Sequence, residues 1–328
     1  MKQVLQKKYI LIRTPPDNYC SGDSKHFDED LNVIINENNI ISLPTAYVIQ
    51  LFLFHNFTLL NEYCLTRPLP LRKKLKAYIK KIIFKKTEVS NGLWVLDQWS
   101  QGYFHWFTEV LPRLISANSI YNNYAVLIPE EWEKISFIKE SMIIFNRKIL
   151  FYSLRKKIKV RNIVAPSHLL PAQFDPEQIL KVRQKFREYD EFNSVADQNV
   201  YISRRKSKRR YITNEDSVKE LLELWGFKIV YMEDLDFQQQ RKLMYQTDIL
   251  ISNHGAGLTN MIFLQDNRKI IELKSDSDDI NNCYFNLARA LNHSYFYIIN
   301  NADSKKVQEA NIYVNIKQLE ELLIELDK

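Results

Sequence analysis

Short apolar runs and amphipathic stretches alternate along the second half of the chain. Val200–Ser203, Phe227–Met232, Ile249–Ser252, Lys269–Leu273 and Tyr295–Ile299 read as strands. Between them, Asn214–Trp225, Phe237–Gln246, Ile280–Leu291 and Ile316–Leu326 repeat apolar residues at helical spacing. Gly226 stops the first of these helices, and a loop and helix start at His254. Strands and helices in alternation predict a parallel, doubly wound sheet.

The first half is less regular. Tyr9–Arg13, Asn91–Asp97, Tyr124–Ile128, Ile149–Ser153 and Lys159–Val164 read as strands, and Tyr103–Ile120, Glu130–Phe145 and Glu177–Tyr189 as helices. Pro166, Pro171 and Pro176 punctuate a stretch without periodicity, which places a domain boundary there. The expectation is α/β, with two doubly wound, Rossmann-like domains facing a cleft. The first domain is expected over residues 1–175 and the second over 176–328, and the last helix is free to pack back on the first domain. In such sheets ligands bind beyond the strand C-termini.

Composition narrows the classes. The 328 residues suit two domains, and 45% hydrophobic with 26% charged residues excludes disordered and fibrous chains. Cys20, Cys64 and Cys283 are too few and too far apart for a disulfide framework or a CxxC metal site, which points to a reducing compartment. The N-terminus lacks the apolar core of a signal peptide, and Tyr47–Leu60, the most apolar stretch, is interrupted by Gln50, His55 and Asn56. A cytoplasmic protein is expected, one able to touch the inner face of the membrane.

The charge of +7 is clustered. Nine basic residues and no acid lie in Arg67–Lys86, seven and no acid in Ser141–Phe174, and six within the seven residues Arg204–Arg210. A phosphate-bearing partner follows, unless the runs are solvated faces. In Arg67–Lys86, Leu71, Leu75, Tyr78, Ile79, Ile82 and Ile83 recur at helical spacing between lysines, as in a helix lying on an anionic membrane.

Three constellations carry candidate chemistry. Average usage would give about 23 glycines; the chain has 6, and two of them lie in Asn253–Asn260, NHGAGLTN. That segment follows a strand and opens a helix, where small residues and unpaired N–H groups accept phosphate; an ordinary strand–helix turn has the same spacing. It is neither a G-x-G-x-x-G nor a P-loop sequence. The second, Tyr201–Asp216, begins its basic run where a strand ends, aiming Arg204 and Arg210 at the same sheet edge. Asn214 would cap the next helix. The third is Trp94–Arg113. Phe107, Val110, Leu111 and Leu114 make a core stripe, while His105, Glu109 and Arg113 fall opposite at four-residue spacing, and Pro112 should kink or end the first helical segment. Spacing alone also fits a surface His–Glu pair.

Together and in this order, three motifs resemble glycosyltransferase family 61 over Trp94–Leu273. They are His105-Trp106…Glu109…Leu111-Pro112-Arg113-Leu114, then Ile202–Glu215, then His254–Asn260 followed by Ile270–Leu273. The resemblance implies a GT-B-like fold and inverting transfer from a nucleotide sugar, with UDP-linked donors the first expectation. Such transfer needs a base for the acceptor hydroxyl and positive charge for the departing diphosphate. His105 is favoured as the base, with Glu109 orienting it or contacting the acceptor. Arg204, Arg210 and the backbone of Gly255, Ala256 and Gly257 would hold the diphosphate; Ser203, Asn214 and His254 complete that set, with Asn260 and Glu272 toward the ribose or base. Trp99, Tyr103, Trp106 and Arg113 would meet the acceptor, a glycan or lipid-linked glycan, as in bacterial capsule or lipopolysaccharide synthesis.

Asp28-Glu29-Asp30, Asp234-Leu235-Asp236 and Asp276-Ser277-Asp278 match a DxD metal pattern, which has little weight in a chain with 18 aspartates. No metal and no other cofactor are expected. The competing class is a non-enzymatic polyanion- or nucleic-acid-binding protein using Arg204–Arg210. No RNP, helix-turn-helix or zinc pattern supports it, so nucleic acid is not expected as a partner.

Overall fold

The structure is a computed structural model of the chain and describes residues 1–65, 69–118, 121–169, 172–207, 209–307 and 309–327. Arg67, Ile120 and Pro171, named in the sequence reading, and Lys208, within the run Arg204–Arg210, lie outside the described residues. The chain is α/β and divides into two compact units, Met1–Ile10 with Ile34–Tyr189, and Leu11–Val33 with Asp190–Lys328.

The first unit carries β1 (Lys2–Gln6), part of β2 (Tyr9–Ile12) and of β3 (Asn32–Ile35), then β4 (Asn38–Leu43), β5 (Ala46–Ile49), β6 (Phe52–His55), β7 (Thr58–Leu59), β8 (Lys86–Leu93), β9 (Val126–Pro129), β10 (Ile149–Tyr152) and β11 (Lys157–Pro166). β2 and β3 form a separate two-stranded ribbon. The main sheet runs β10-β9-β8-β11-β5-β6-β7. Its strands β8 to β11 are mutually parallel where they pair, but β11 is antiparallel to β5 through Lys157–Val160 and to β4 through Ile163–Pro166. This corrects the expected doubly wound first domain: the sheet is mixed. The physical reason lies in the apolar stretch 47–60. Its interruptions at Gln50 and Asn56 have positive φ (54° and 51°), the backbone of tight turns, so the stretch folds into hairpins instead of parallel crossovers.

The second unit holds β12 (Gln198–Ile202), β13 (Phe227–Val230), β14 (Thr247–Asn253), β15 (Lys269–Ser275), β16 (Ser294–Ala302) and β17 (Ile312–Tyr313) in the order β13-β12-β14-β15-β16-β17. All pairs except β16–β17 are parallel. The chain moves outward from β12 to β13, then returns to the other side of β12 as β14. The crevice at the C-terminal ends of β12 and β14 is therefore a topological switch point, where open α/β sheets bind ligands.

Two boundaries differ from the sequence reading. The helix Pro176–Asp190 belongs to the first unit up to Tyr189, because Phe186 meets Phe107 and Phe145 at 5.7 Å between ring centroids. Residues 11–33 belong to the second unit: Phe27 packs edge-on against Phe285 at 5.3 Å, and Asn286 donates to Asp30. The last helix, Ile316–Leu326, belongs to the second unit. Leu319, Leu322 and Leu323 enter the core of the second with Val218, Leu222, Ile251 and Ile271. No helix among the described residues is long and apolar enough to cross a membrane.

Candidate active site

In the second unit, Arg204 follows β12 and Gly255 follows β14, so both lie at the switch point. Their fit is tight. A Cβ on Gly255 would stand 2.1 Å from Arg204 Nη1 and 2.6 Å from its Cζ, so only glycine leaves room for the guanidinium. Arg204 Nε donates to Arg210 O at 3.3 Å, and Nη2 to Ser207 Oγ at 3.1 Å. Burial, then the charge of Arg210, lower the Arg204 pKa, a strain that an anion would relieve. Asn253 Nδ2 donates to the Arg210 carbonyl at 2.6 Å, tying the basic loop to the end of β14. The helix that follows, Ala256–Phe263, is 3₁₀ in geometry and starts two residues after His254, with Ala256 exposed at its first turn.

His254 is held from behind. Its Nδ1 lies 2.5 Å from Glu272 Oε1, and Tyr295 donates its hydroxyl to Glu272 Oε2. Glu272 is fully buried. Burial alone would raise its pKa, but His254, Lys274 and the Tyr295 hydroxyl carry it below the ordinary value. His254, Arg210, Asn253 and Asp278 line a small cavity of about 20 Å³.

Several sequence assignments change role here. Gly257 is tight because a Cβ would meet Ile202 Cγ2 at 3.1 Å, so its smallness serves packing under the loop. Asn214 bonds Val314 through both side-chain atoms and makes no side-chain cap. Ser203 donates to Glu215 Oε1 at 2.6 Å beneath the basic loop. Asn260 donates to Gly257 O at 3.0 Å, and Glu272 orients His254; both are buried behind the loop.

In the first unit, Gly102 precedes a helix whose turns change in character: Tyr103–His105 is α, Trp106–Val110 is π and Leu111–Asn118 is α. π turns recur at functional sites. His105 Nδ1 lies 2.8 Å from Glu109 Oε1. Their side chains are 27% and 10% exposed, which excludes a solvated surface pair. Burial raises the Glu109 pKa above the ordinary carboxylate value, and His105 opposes the rise. Trp99, half exposed, lies across the His105 ring with centroids 5.8 Å apart. Phe107, Val110, Leu111 and Leu114 are all buried, as the expected stripe requires.

Trp106 and Arg113 are corrections. Trp106 is buried and its indole donates to Ser141 Oγ at 2.8 Å, so it offers no ring face to a sugar. Arg113 is buried too, donating to the carbonyls of Val95, Tyr63 and Pro166. Burial lowers its pKa to about 10, against the charges of Asp97, Cys64 and Glu109. Tyr103 packs on Phe107 and Phe137 at 4.7 and 5.0 Å.

The loop after β11 completes a cavity of about 30 Å³ beside Glu109. Glu109 Oε2, His168 Nε2, Gln173 Oε1, Asp175 Oδ2 and Gln178 Oε1 are buried around it without a hydrogen-bond partner. Unsatisfied buried groups of this number call for a ligand or water. Four of the five are oxygens that accept, so the complement is a donor such as a hydroxyl. Sequence reading found Glu109 but missed the others: His168, Gln173 and Asp175 lie in a Pro-punctuated loop without periodicity, and Gln178 lies in the first turn of the helix that follows, although their density of Gln, Asp and His was visible. Asp97, His168 and Glu109 also bring ligand atoms within 4.8 Å of one another and could hold a divalent cation; they are the one such group among the described residues. Burial, then Arg113, lower the His168 pKa well below 6.5, keeping it neutral.

Comparison with known proteins adds the context. The family model Glycosyltransferase 61 matches residues 103–271, just over half of the chain. The chain belongs to glycosyltransferase family 61. The match includes His105, Glu109, His168, Arg204 and the 254–260 loop, and begins after Trp99. The chain is similar to the EGF domain-specific O-linked N-acetylglucosamine transferases of Drosophila melanogaster (42% identical over 93 residues) and Mus musculus (36% over 95), each covering 27% of this chain and 17% and 18% of the relative. The Gallus gallus protein of the same name is 40% identical over 57 residues, 17% of this chain and 10% of its own. The matched segments thus span less than a fifth of these curated relatives.

Proposed function

We propose that this family 61 protein is a GT-B-like, inverting glycosyltransferase in which the second unit binds the diphosphate of a nucleotide sugar and the first unit supplies the base and the acceptor subsite. The single observation that carries the reading is the seat of Arg204 over Gly255 at the switch point. There a planar cation and the backbone N–H groups of a helix start, at Ala256 and Gly257, follow neighbouring strand ends and suit an anion, with His254 next to them in the chain. As the glycosidic bond to the diphosphate breaks, charge grows on the leaving oxygens, and preorganised donors stabilise it. Arginine and helix start take the part a metal ion plays elsewhere, so we assign transfer without a metal.

In the first unit, the acceptor hydroxyl gives its proton to His105 Nε2 while its oxygen attacks the anomeric carbon. Nδ1–H donates to Glu109, which takes up the charge of the imidazolium. A carboxylate whose pKa burial has raised gains most when a cation forms beside it. Trp99 offers an exposed ring to the acceptor sugar, and the acceptor-lined cavity supports a glycan hydroxyl as its occupant. Because the relatives are named for N-acetylglucosamine transfer, UDP-N-acetylglucosamine is the first donor to test. The polyanion-binding alternative loses support: Arg205 pairs with Asp216 and Lys206 with Asp234, which neutralises part of the basic loop. A thermal-shift panel of nucleotides and nucleotide sugars tests the proposal, since a donor at 100-fold its Kd stabilises by about 2.7 kcal/mol. A panel in which no nucleotide diphosphate stabilises the protein would defeat it.

A further inference from the structure

The basic run before β8 is not absorbed by transfer chemistry. Its helix, Leu71–Ile83, is mounted with its apolar stripe outward. Leu71, Leu75, Ile79, Ile82 and Ile83 are 47–82% exposed, and the helix buries only Ala77. It is held to the unit by polar and aromatic contacts instead. Tyr78 meets Phe54 edge-on at 5.2 Å, Lys80 Nζ donates to Gln50 at 2.7 Å, and Lys81 Nζ lies 4.7 Å from the centre of the Phe57 ring. Phe57 is itself 83% exposed, at the tip of the β6–β7 hairpin beside the helix. A contiguous apolar ridge in water on a domain helix is a surface built for a partner.

Charge says which partner. Between Leu69 and Lys86 there are eight basic residues and no acid. Beside the ridge, Lys73, Lys76 and Lys80 line an open pocket of about 370 Å³ with Gln50 and Gln98. Gln98 Nε2 is a buried donor there without a hydrogen-bond partner. Three lysines, of which Lys80 also bonds Gln50, and an amide donor line one hollow and fit a phosphate oxygen cluster, and the ridge next to it fits acyl chains. A second copy of the chain would bring these lysines against their own kind, which the charge opposes.

We propose that this face docks on an anionic phospholipid bilayer, with lipid headgroup phosphates in the Lys73–Lys76–Lys80 pocket and Leu71, Leu75, Ile79 and Ile82 inserted at the acyl boundary. The proposal is independent of sugar transfer, and its test reads binding without turnover. The full chain is sedimented with vesicles of phosphatidylcholine alone and of phosphatidylcholine with phosphatidylglycerol in equal parts. Binding is expected to the second only, weakening with salt. Each basic residue near such a surface is worth about five-fold in partition, so Lys73→Gln with Lys76→Gln should weaken it about 30-fold. Leu75→Gln with Ile79→Gln changes exposed side chains, leaves the melting temperature unaltered and should lower partition at least ten-fold. Equal partition onto both vesicles, or full binding by the Leu75/Ile79 variant, would overturn the proposal. So would a dimer in sedimentation velocity that the same variant dissolves, or soluble glycerophosphate that displaces the protein at millimolar levels, because the site would then serve a copy of the chain or a free phosphate.

Discussion

Replacing Gly255 by alanine is a small change with a large predicted consequence. The added methyl would sit 2.1 Å from Arg204 Nη1 and 2.6 Å from Cζ, well inside van der Waals contact. The atom it strikes is the end of a flexible side chain, so the fold survives and the guanidinium moves. On the proposed reading the change removes a charge-assisted contact of Arg204 with the diphosphate, worth about 1.5–3 kcal/mol, or ten- to a hundred-fold in Kd. Calorimetric titration with UDP should show that loss at unchanged melting temperature. Arg204→Ala should show the same loss. The double variant should be no worse than either alone, because both remove one interaction. Gly255→Ala with the parent's UDP affinity, or fully additive losses, would refute the reasoning.

Other expectations follow from the same geometry. His105→Ala should lower kcat by about 10²–10⁴-fold and leave UDP affinity unchanged, while Glu109→Gln has a smaller effect on kcat; the reverse order would make Glu109 the base. Gly257→Ala forces a Cβ to 3.1 Å from Ile202, so it should cost about 1–3 kcal/mol in stability, read as a fall of several degrees in melting temperature, and weaken UDP less than Gly255→Ala does. His168 is kept neutral by burial, so below its unfolded pKa of about 6.5 the unfolded chain binds the extra proton. Stability should therefore fall as pH drops below 6.5, and His168→Asn should flatten that slope by up to about 1.4 kcal/mol per pH unit in denaturant titrations.

The second unit was largely legible because its strands are continuous apolar runs separated by amphipathic helices. Val200–Ser203 and Ile249–Ser252 fall within a residue or two of β12 and β14. The first unit was not. β8 reads KTEVSNGL and is mostly exposed, so it lacks an apolar signal, and it overlaps the expected Asn91–Asp97 only at Asn91–Leu93. Glu130–Phe145, read as one helix, is a 3₁₀ turn at Glu130–Trp132 and a helix at Ser136–Ile144. At the site, four-residue spacing found His105 and Glu109, but spacing cannot tell a surface pair from a buried one. It also placed Arg113 beside them without showing that its guanidinium straps three carbonyls. His168, Gln173 and Asp175 come to Glu109 only through the path of β11 and its loop, which is a tertiary fact. Gly255 and Gly257 look alike in sequence; one leaves room for Arg204 and the other for Ile202.

The most direct test of the account is the anomeric configuration of the product, read by proton NMR during turnover of an α-linked UDP-sugar. In-line displacement with His105 as base predicts a β-linked product from the parent protein, formed about 10²–10⁴-fold more slowly by His105→Ala. An α-linked product, or no turnover of any nucleotide sugar by the parent, would contradict it.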